Sequence, residues 1–117
     1  MKPPQTATHP HYHAHVYFDA DRVDTAIELT ERASKEFDVV AGRLHRKNVG
    51  PHPAWSQQLA FKADVYESLI EWLDQNRDDL TILVHANTGN HLQDHTEHAW
   101  WLGSPAILNL EIFKQGE

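Results

Sequence analysis

His11-Tyr12-His13-Ala14-His15-Val16-Tyr17-Phe18 alternates without a break. Successive side chains of an extended chain point to opposite faces. Tyr12, Ala14, Val16 and Phe18 therefore share one side, and His11, His13, His15 and Tyr17 share the other. The period of two reads as a half-buried strand. Its polar face is unusual, carrying three histidines.

Working outward from this strand, Asp19 to Asp24 supplies turn and N-cap chemistry. Val23, Ala26, Ile27, Thr30, Ala33 and Phe37 then recur at helical spacing, which predicts an amphipathic helix over about 22–37. Val39 to about His45 reads as a second strand. Asn48-Val49-Gly50-Pro51-His52-Pro53 is a breaker cluster and so a loop. Ser56 to Lys62 is a third strand. Asp64 with Glu67 three residues on is an acidic variant of the capping box, opening a second helix that shows Val65, Leu69, Trp72 and Leu73 on one face. Leu80 to His85 is dense enough in apolar residues to be buried on both faces.

Asn87 to about Pro105 reads as a long irregular run. Loops of that length inside a compact domain are usually functional or disordered, and Trp100, Trp101 and three histidines are not a disordered composition. Ala106 to Phe113 closes the chain as a last strand, with Leu108, Leu110 and Ile112 on one side and Asn109 and Glu111 on the other. Residues 1–10, with Pro3, Pro4 and Pro10 and no periodicity, are expected to be a loose arm before a single domain over 11–117. The order β-α-β-β-α-β predicts a ferredoxin-like α+β sandwich, two helices covering one face of an antiparallel sheet. In that topology the first strand is central, beside the strand that follows the second helix. Val16 and Phe18 would pack under the helices, and His13 and His15 would project from the open face.

Composition excludes several functions. Ten Lys and Arg against 17 Asp and Glu leave a formal charge of −7. That opposes a nucleic-acid or anionic-membrane partner, both of which are bound chiefly through cations on phosphate. There is no cysteine, so disulfides, thiolate metal sites and Cys nucleophiles are excluded. No leader or membrane-spanning stretch is visible, and a cytoplasmic protein is expected. A chain of 13.5 kDa should fold to roughly 6,500 Å² of surface from about 20,000 Å² unfolded. That supports a core but no large enclosed chamber, so a pocket is expected to need a second subunit. There is no Gly-rich phosphate loop, no nucleophile elbow and no His-Glu-x-x-His helix.

The 10 histidines carry the remaining signal. Two residues apart on one strand, His13 and His15 point the same way and can reach one ion, and imidazole suits Fe, Zn, Cu or Ni. His85, ending the neighbouring strand, offers a third nitrogen if the register brings it alongside. Three protein ligands with positions left open characterise a catalytic metal site. A histidine-rich solvated face, or core histidines satisfied by hydrogen bonds, is the competing explanation. His52 lies between two prolines that fix the backbone and so the ring's direction, as a proton donor or ligand requires. In the long run, Asp94-His95 could supply a ligand or an acid/base pair, with Trp100 and Trp101 flooring an aromatic pocket or simply packing the loop down. His91 and His98 read as solvent-exposed. Glu111 is the best-placed carboxylate for a site built from two histidines and one acid.

Taken together, His13-x-His15-x-Tyr17-Phe18-Asp19, Gly50-Pro51-His52-Pro53, and Leu83-x-His85 followed by Thr88-Gly89, Asp94-His95 and Trp101-x-Gly103 resemble the DOPA 4,5-dioxygenase family of the fungal and bacterial type. The likeness runs from about residue 11 to 113. It implies a small ferredoxin-like protein that cleaves a catechol ring in the extradiol sense with O₂. Fe(II) is the metal expected, with Zn or Ni as substitutes in a purified sample. On this reading His13, His15 and His85 hold the metal, and His52 and His95 share acid/base and substrate-positioning roles. Tyr17 and Trp101 contact the substrate. An exposed sheet face suggests a homodimer. A non-catalytic module that binds transition metal, and a dimeric oxygenase using no metal, remain the alternatives.

Overall fold

Strand β1 (His11–Phe18) lies at the centre of a five-stranded antiparallel sheet. The computed structural model describes residues 2–113; residues 114–117, at the end of the expected domain, lie outside the described residues. After β1 come α1 (Val23–Glu36), β2 (Val40–Ala41), β3 (Trp55–Lys62), α2 (Ala63–Asn76), β4 (Ile82–Ala86), the four-residue helix α3 (His91–Asp94), β5 (Ala99–Leu102) and a 3₁₀ turn at Leu110–Phe113. The sheet order is β2-β3-β1-β4-β5. This is the expected ferredoxin-like α+β arrangement with one strand added beside β4.

The alternation of β1 is realised in full. Tyr12, Ala14, Val16 and Phe18 are at most 5% exposed and pack with Ala26, Leu29 and Ala33 of α1 and Tyr66, Leu69 and Leu73 of α2. Burial of these faces holds the helices on one side of the sheet at about 25 cal/mol per Å² of apolar surface removed from water. β4 is buried along its whole length, as its unbroken apolar run requires. Among the described residues no helix is long and apolar enough to cross a membrane.

Several local expectations are corrected. The last strand is Ala99–Leu102, inside the stretch that reads as irregular, whereas 106–113 is not a strand. Trp100 and Leu102 are 8% and 5% exposed on the core side, pairing across from Val84 and Ile82. Four residues between His98 and Gly103 are simply too short to show a period. The alternation of Leu108, Leu110 and Ile112 is real in sequence but buries none of them. Glu111 accordingly sits exposed on the 3₁₀ turn. The capping box at Asp64 and Glu67 does not form, because β3 runs directly into α2 with Lys62 at the N-cap and no side-chain cap bond. The second strand shrinks to Val40–Ala41, followed by an isolated bridge between His45 and Ser56.

Residues 2–10 contain no helix or strand, as the prolines imply, yet they are tied down. The Tyr66 hydroxyl donates to the Pro4 carbonyl at 2.7 Å, and the Tyr12 hydroxyl oxygen accepts from the N–H of Thr8 at 2.8 Å and of His9 at 3.1 Å. The open face of the sheet is also less open than its topology suggests. The Asn109 N–H donates to the Pro51 carbonyl at 2.9 Å, and the Phe113 ring lies 4.7 Å from that of His95. The chain's own loops therefore cover part of the histidine face.

Candidate metal centre

The β1–β4 register places His13 directly opposite His85, with His15 two residues along on the same face. Their ligand nitrogens all lie within 4.8 Å of one another. The Nε2 atoms of His15 and His85 are 2.9 Å apart. With the His85 Nδ1–H engaged elsewhere, His15 Nε2–H donates to His85 Nε2 here, and the same two nitrogens are close enough that one ion at about 2.0–2.1 Å from each could replace the shared proton. His85 donates its Nδ1–H to the Ala86 carbonyl at 2.7 Å, which fixes the tautomer and leaves the Nε2 lone pair facing His15. Metal-binding histidines are commonly held this way through their second nitrogen.

The remaining two candidates flank this core. The His52 ring is 4.1 Å from that of His15, and its Nδ1 shares a 2.7 Å hydrogen bond with the Tyr17 hydroxyl. His95 lies 4.2 Å from His85 and donates its Nδ1–H to the His91 carbonyl at 2.7 Å. All five candidate histidines thus converge on one place, from β1, β4, the Pro51 loop and the end of α3. Tyr17 is only 5% exposed and sits 5.9 Å from the half-buried Trp101 ring across the open face.

Burial sets the electrostatics. His15 is held well below the usual imidazole range, by burial first and then by its neighbours His52 and His85. Burial, reinforced by His95, lowers His85 to about 3, and it lowers His52 to about 4. His13 and His95 are lowered as well, again chiefly by burial. Five rings with one sign of charge available cannot all protonate in so small a volume. They are neutral at pH 7, the form that donates a lone pair to a metal. The Tyr17 phenol is pushed up by burial and stays protonated.

Other histidines stand apart. His91 is exposed, and His98 packs its ring 4.5 Å from that of His9. Two contributions, the role of Asp94 and the place of His45, do not follow from the sequence. Asp94 is 1% exposed and accepts from the Thr88 N–H at 2.8 Å and the Thr88 hydroxyl at 2.6 Å, which pins α3 and therefore His95. Its neighbour His95 and the preceding Thr88-Gly89 are the only sequence hint of that role. Replacing Asp94 by Ala removes two charge-assisted hydrogen bonds from a buried carboxylate and should cost about 2–3 kcal/mol. Urea unfolding measures it, and an unchanged midpoint would show that the clamp contributes nothing. The second is His45, which reads as the end of a strand. It lines a cavity of about 150 Å³ together with His15, His52, Ser56 and Gln58. No spacing rule links His45 to His15; only the β3 register does.

Residues 12–112 match the Dopa 4,5-dioxygenase family. The chain belongs to that family. It is 34% identical over 108 residues to a DOPA 4,5-dioxygenase of Amanita muscaria, covering 85% of this chain and 47% of the relative. It is 33% identical over 116 residues to an uncharacterized 21.2 kDa protein of Botryotinia fuckeliana, covering 89% of this chain and 63% of that one. The chain thus spans about half of the first relative and less than two thirds of the second. Among solved structures, a crystal structure described as a "putative dioxygenase" from Nostoc punctiforme is 40% identical, with a TM-score of 0.89 over 92% of this chain and 94% of that one. Membership of the Dopa 4,5-dioxygenase family accords with the β1 motif, the Pro-flanked His52 and the Asp94-His95 pair.

Proposed function

We propose that this protein is a metal-dependent extradiol dioxygenase that opens the ring of a catechol with O₂. The observation that carries the proposal is the cluster of His13, His15 and His85 with two further neutral imidazoles packed against it. The donor set fits a divalent transition ion: three nitrogens, no thiolate, and a hydrogen bond that orients one of them. Fe(II) is the ion proposed, with Zn or Ni able to occupy the same nitrogens. When bound, such an ion supplies a Lewis-acidic, redox-active place where catechol oxygens and O₂ can meet.

The chain's residues do the rest. His52, against His15 and braced by Tyr17, is placed to take a proton from a catechol hydroxyl and to return one as the ring opens. Its neutral state at pH 7 is what a proton acceptor needs. His95, its ring 4.2 Å from that of His85 and its Nδ1 committed to the His91 carbonyl, keeps Nε2 free and positions the substrate. Trp101 and Tyr17 form the aromatic wall on the β5 side.

The test is oxygen uptake across a panel of catechols by protein loaded anaerobically with Fe(II). Uptake with a yellow ring-opened product is expected, lost on chelation. Stoichiometric metal without oxygen consumption for any catechol would leave only a metal-binding module, and activity that survives chelation would remove the metal from the reaction.

A further inference from the structure

The chain that leaves β5 borders three parts of the site without joining the core. Gly103, at a φ of +86°, turns it back, and a Cβ there would lie 3.3 Å from the Leu80 carbonyl oxygen. The Thr81 hydroxyl donates to the Ser104 carbonyl at 3.1 Å, which fixes the root of the segment. Ser104, Pro105 and Ala106 then border a cavity of about 410 Å³ together with Tyr17, Ala54 and Thr81. Farther along, the Asn109 N–H donates to the carbonyl of Pro51, the residue before His52. The Phe113 ring lies 4.7 Å from that of His95 and stacks at 5.8 Å on that of His91. One segment thus borders Tyr17, the loop of His52, and His95.

Its composition and its burial disagree. Ala106, Ile107, Leu108, Leu110, Ile112 and Phe113 are apolar, yet no residue from 103 to 113 is buried, and Ile107 is 90% exposed. Apolar surface left in water forgoes about 25 cal/mol for each Å² it could cover. A segment with few buried contacts opens locally at far less cost than global unfolding, and mobile lids are drawn from such segments. Strand β1 stands at the other extreme, with Val16 fully buried. Phe113 is the member placed to gain cover at the site, since a substrate ring beside His95 would pack against it.

We infer that residues 103–113 are a strap hinged at Gly103–Ser104, which opens at Asn109 and Phe113 to admit the substrate and recloses with the Phe113 ring over it. The inference rests on the catechol reading above for its occupant and names the gate of that site. Because Asn109 is bonded to the loop that carries His52, closure sets that loop and the roof together.

The test is amide hydrogen exchange followed residue by residue by NMR, on the full chain loaded with zinc and kept without air. In the absence of ligand the Asn109 amide should be protected about tenfold or more over an unstructured one, yet exchange at least about 100-fold faster than that of Val16. Catechol at ten times its dissociation constant should slow Asn109 about tenfold. Phe113→Ala should speed ligand-free exchange at Asn109 about threefold to tenfold, the reach of one aromatic contact, and Phe113→Tyr should restore it. A Val16 amide that exchanges normally in the alanine variant shows that the fold is intact. An Asn109 amide that exchanges only with global unfolding, or as fast as an unstructured one, overturns the inference. So does faster exchange with catechol bound, which would make Phe113 a plug, and so does an unchanged rate where calorimetry shows catechol bound. If calorimetry shows no binding, the catechol reading fails, while the ligand-free exchange still decides whether the strap opens.

Discussion

Replacing His85 by alanine should abolish stable metal binding and, with it, oxygen consumption. His85 is 3% exposed at the end of β4, opposite His13 in the ladder. Its Nδ1–H is already committed to the Ala86 carbonyl, so its Nε2 lone pair is oriented before any ion arrives. Without it, only His13 and His15 remain, both from one strand, and two imidazoles two residues apart cannot enclose an ion. Removing even an outer hydrogen-bond partner of a ligand commonly costs 10–100-fold in affinity, so loss of the ligand itself should cost more than about 100-fold. Dialysis against limiting Fe(II), followed by metal analysis, measures this. His52→Ala and His95→Ala should retain the metal while turnover falls by about 10²-fold or more, the usual reach of acid–base assistance. His98→Ala, whose ring packs on His9, serves as the control. The ligand assignment fails if the His85 variant keeps a full equivalent of metal. It must be redrawn around His52 or His95 if either of those loses it.

The parts of this site that were legible in sequence are those set by a period. His13 and His15 share a face because a strand alternates, and the βαββαβ order places β4 beside β1. Convergence of His85 on the pair then needed only the register, which the structure supplies as His13 opposite His85. His52 was visible through its flanking prolines. Tertiary effects account for the misses. Ala99–Leu102 is a strand because β4 offers it an edge, not because four residues show a pattern. The alternation of 106–113 misled because period alone says nothing about whether a face has anything to cover, and Ile107 is 90% exposed. Neither the place of His45 nor the clamp that Asp94 makes follows from a period: His45 is set by its bridge to Ser56, and Asp94, a candidate ligand or acid/base group by sequence, is instead turned onto Thr88.

The metal-free protein should lose stability steeply on mild acidification, in a pH window that isolates the histidines. An unfolded imidazole takes up its proton near pH 6.5, whereas folded His85 resists protonation down to about 3 and His52 to about 4. Between those values the unfolded chain holds more protons than the native one, so stability rises with pH and falls as pH is lowered. The contribution is complete above about pH 6.5 and is lost progressively below it. For His85 alone the slope is about 1.4 kcal/mol per pH unit, or roughly 2 kcal/mol between pH 6.5 and 5. His15, buried between His52 and His85, and His52 itself act in the same direction. Their sum is a large part of the 5–15 kcal/mol that stabilises an ordinary domain. Most carboxylates titrate below pH 5, so the loss above that value belongs to the imidazoles. Urea midpoints of chelated protein at pH 7.5, 6 and 5 should fall in order, and His85→Gln should flatten the decline. An ion that binds only the folded state should raise the midpoint at pH 7.5 by mass action, and by less at pH 5, where protons compete for the same nitrogens. A midpoint independent of pH between 7.5 and 5 would mean that these rings are not buried together as neutral bases, and the metal centre built from them would fall with that result.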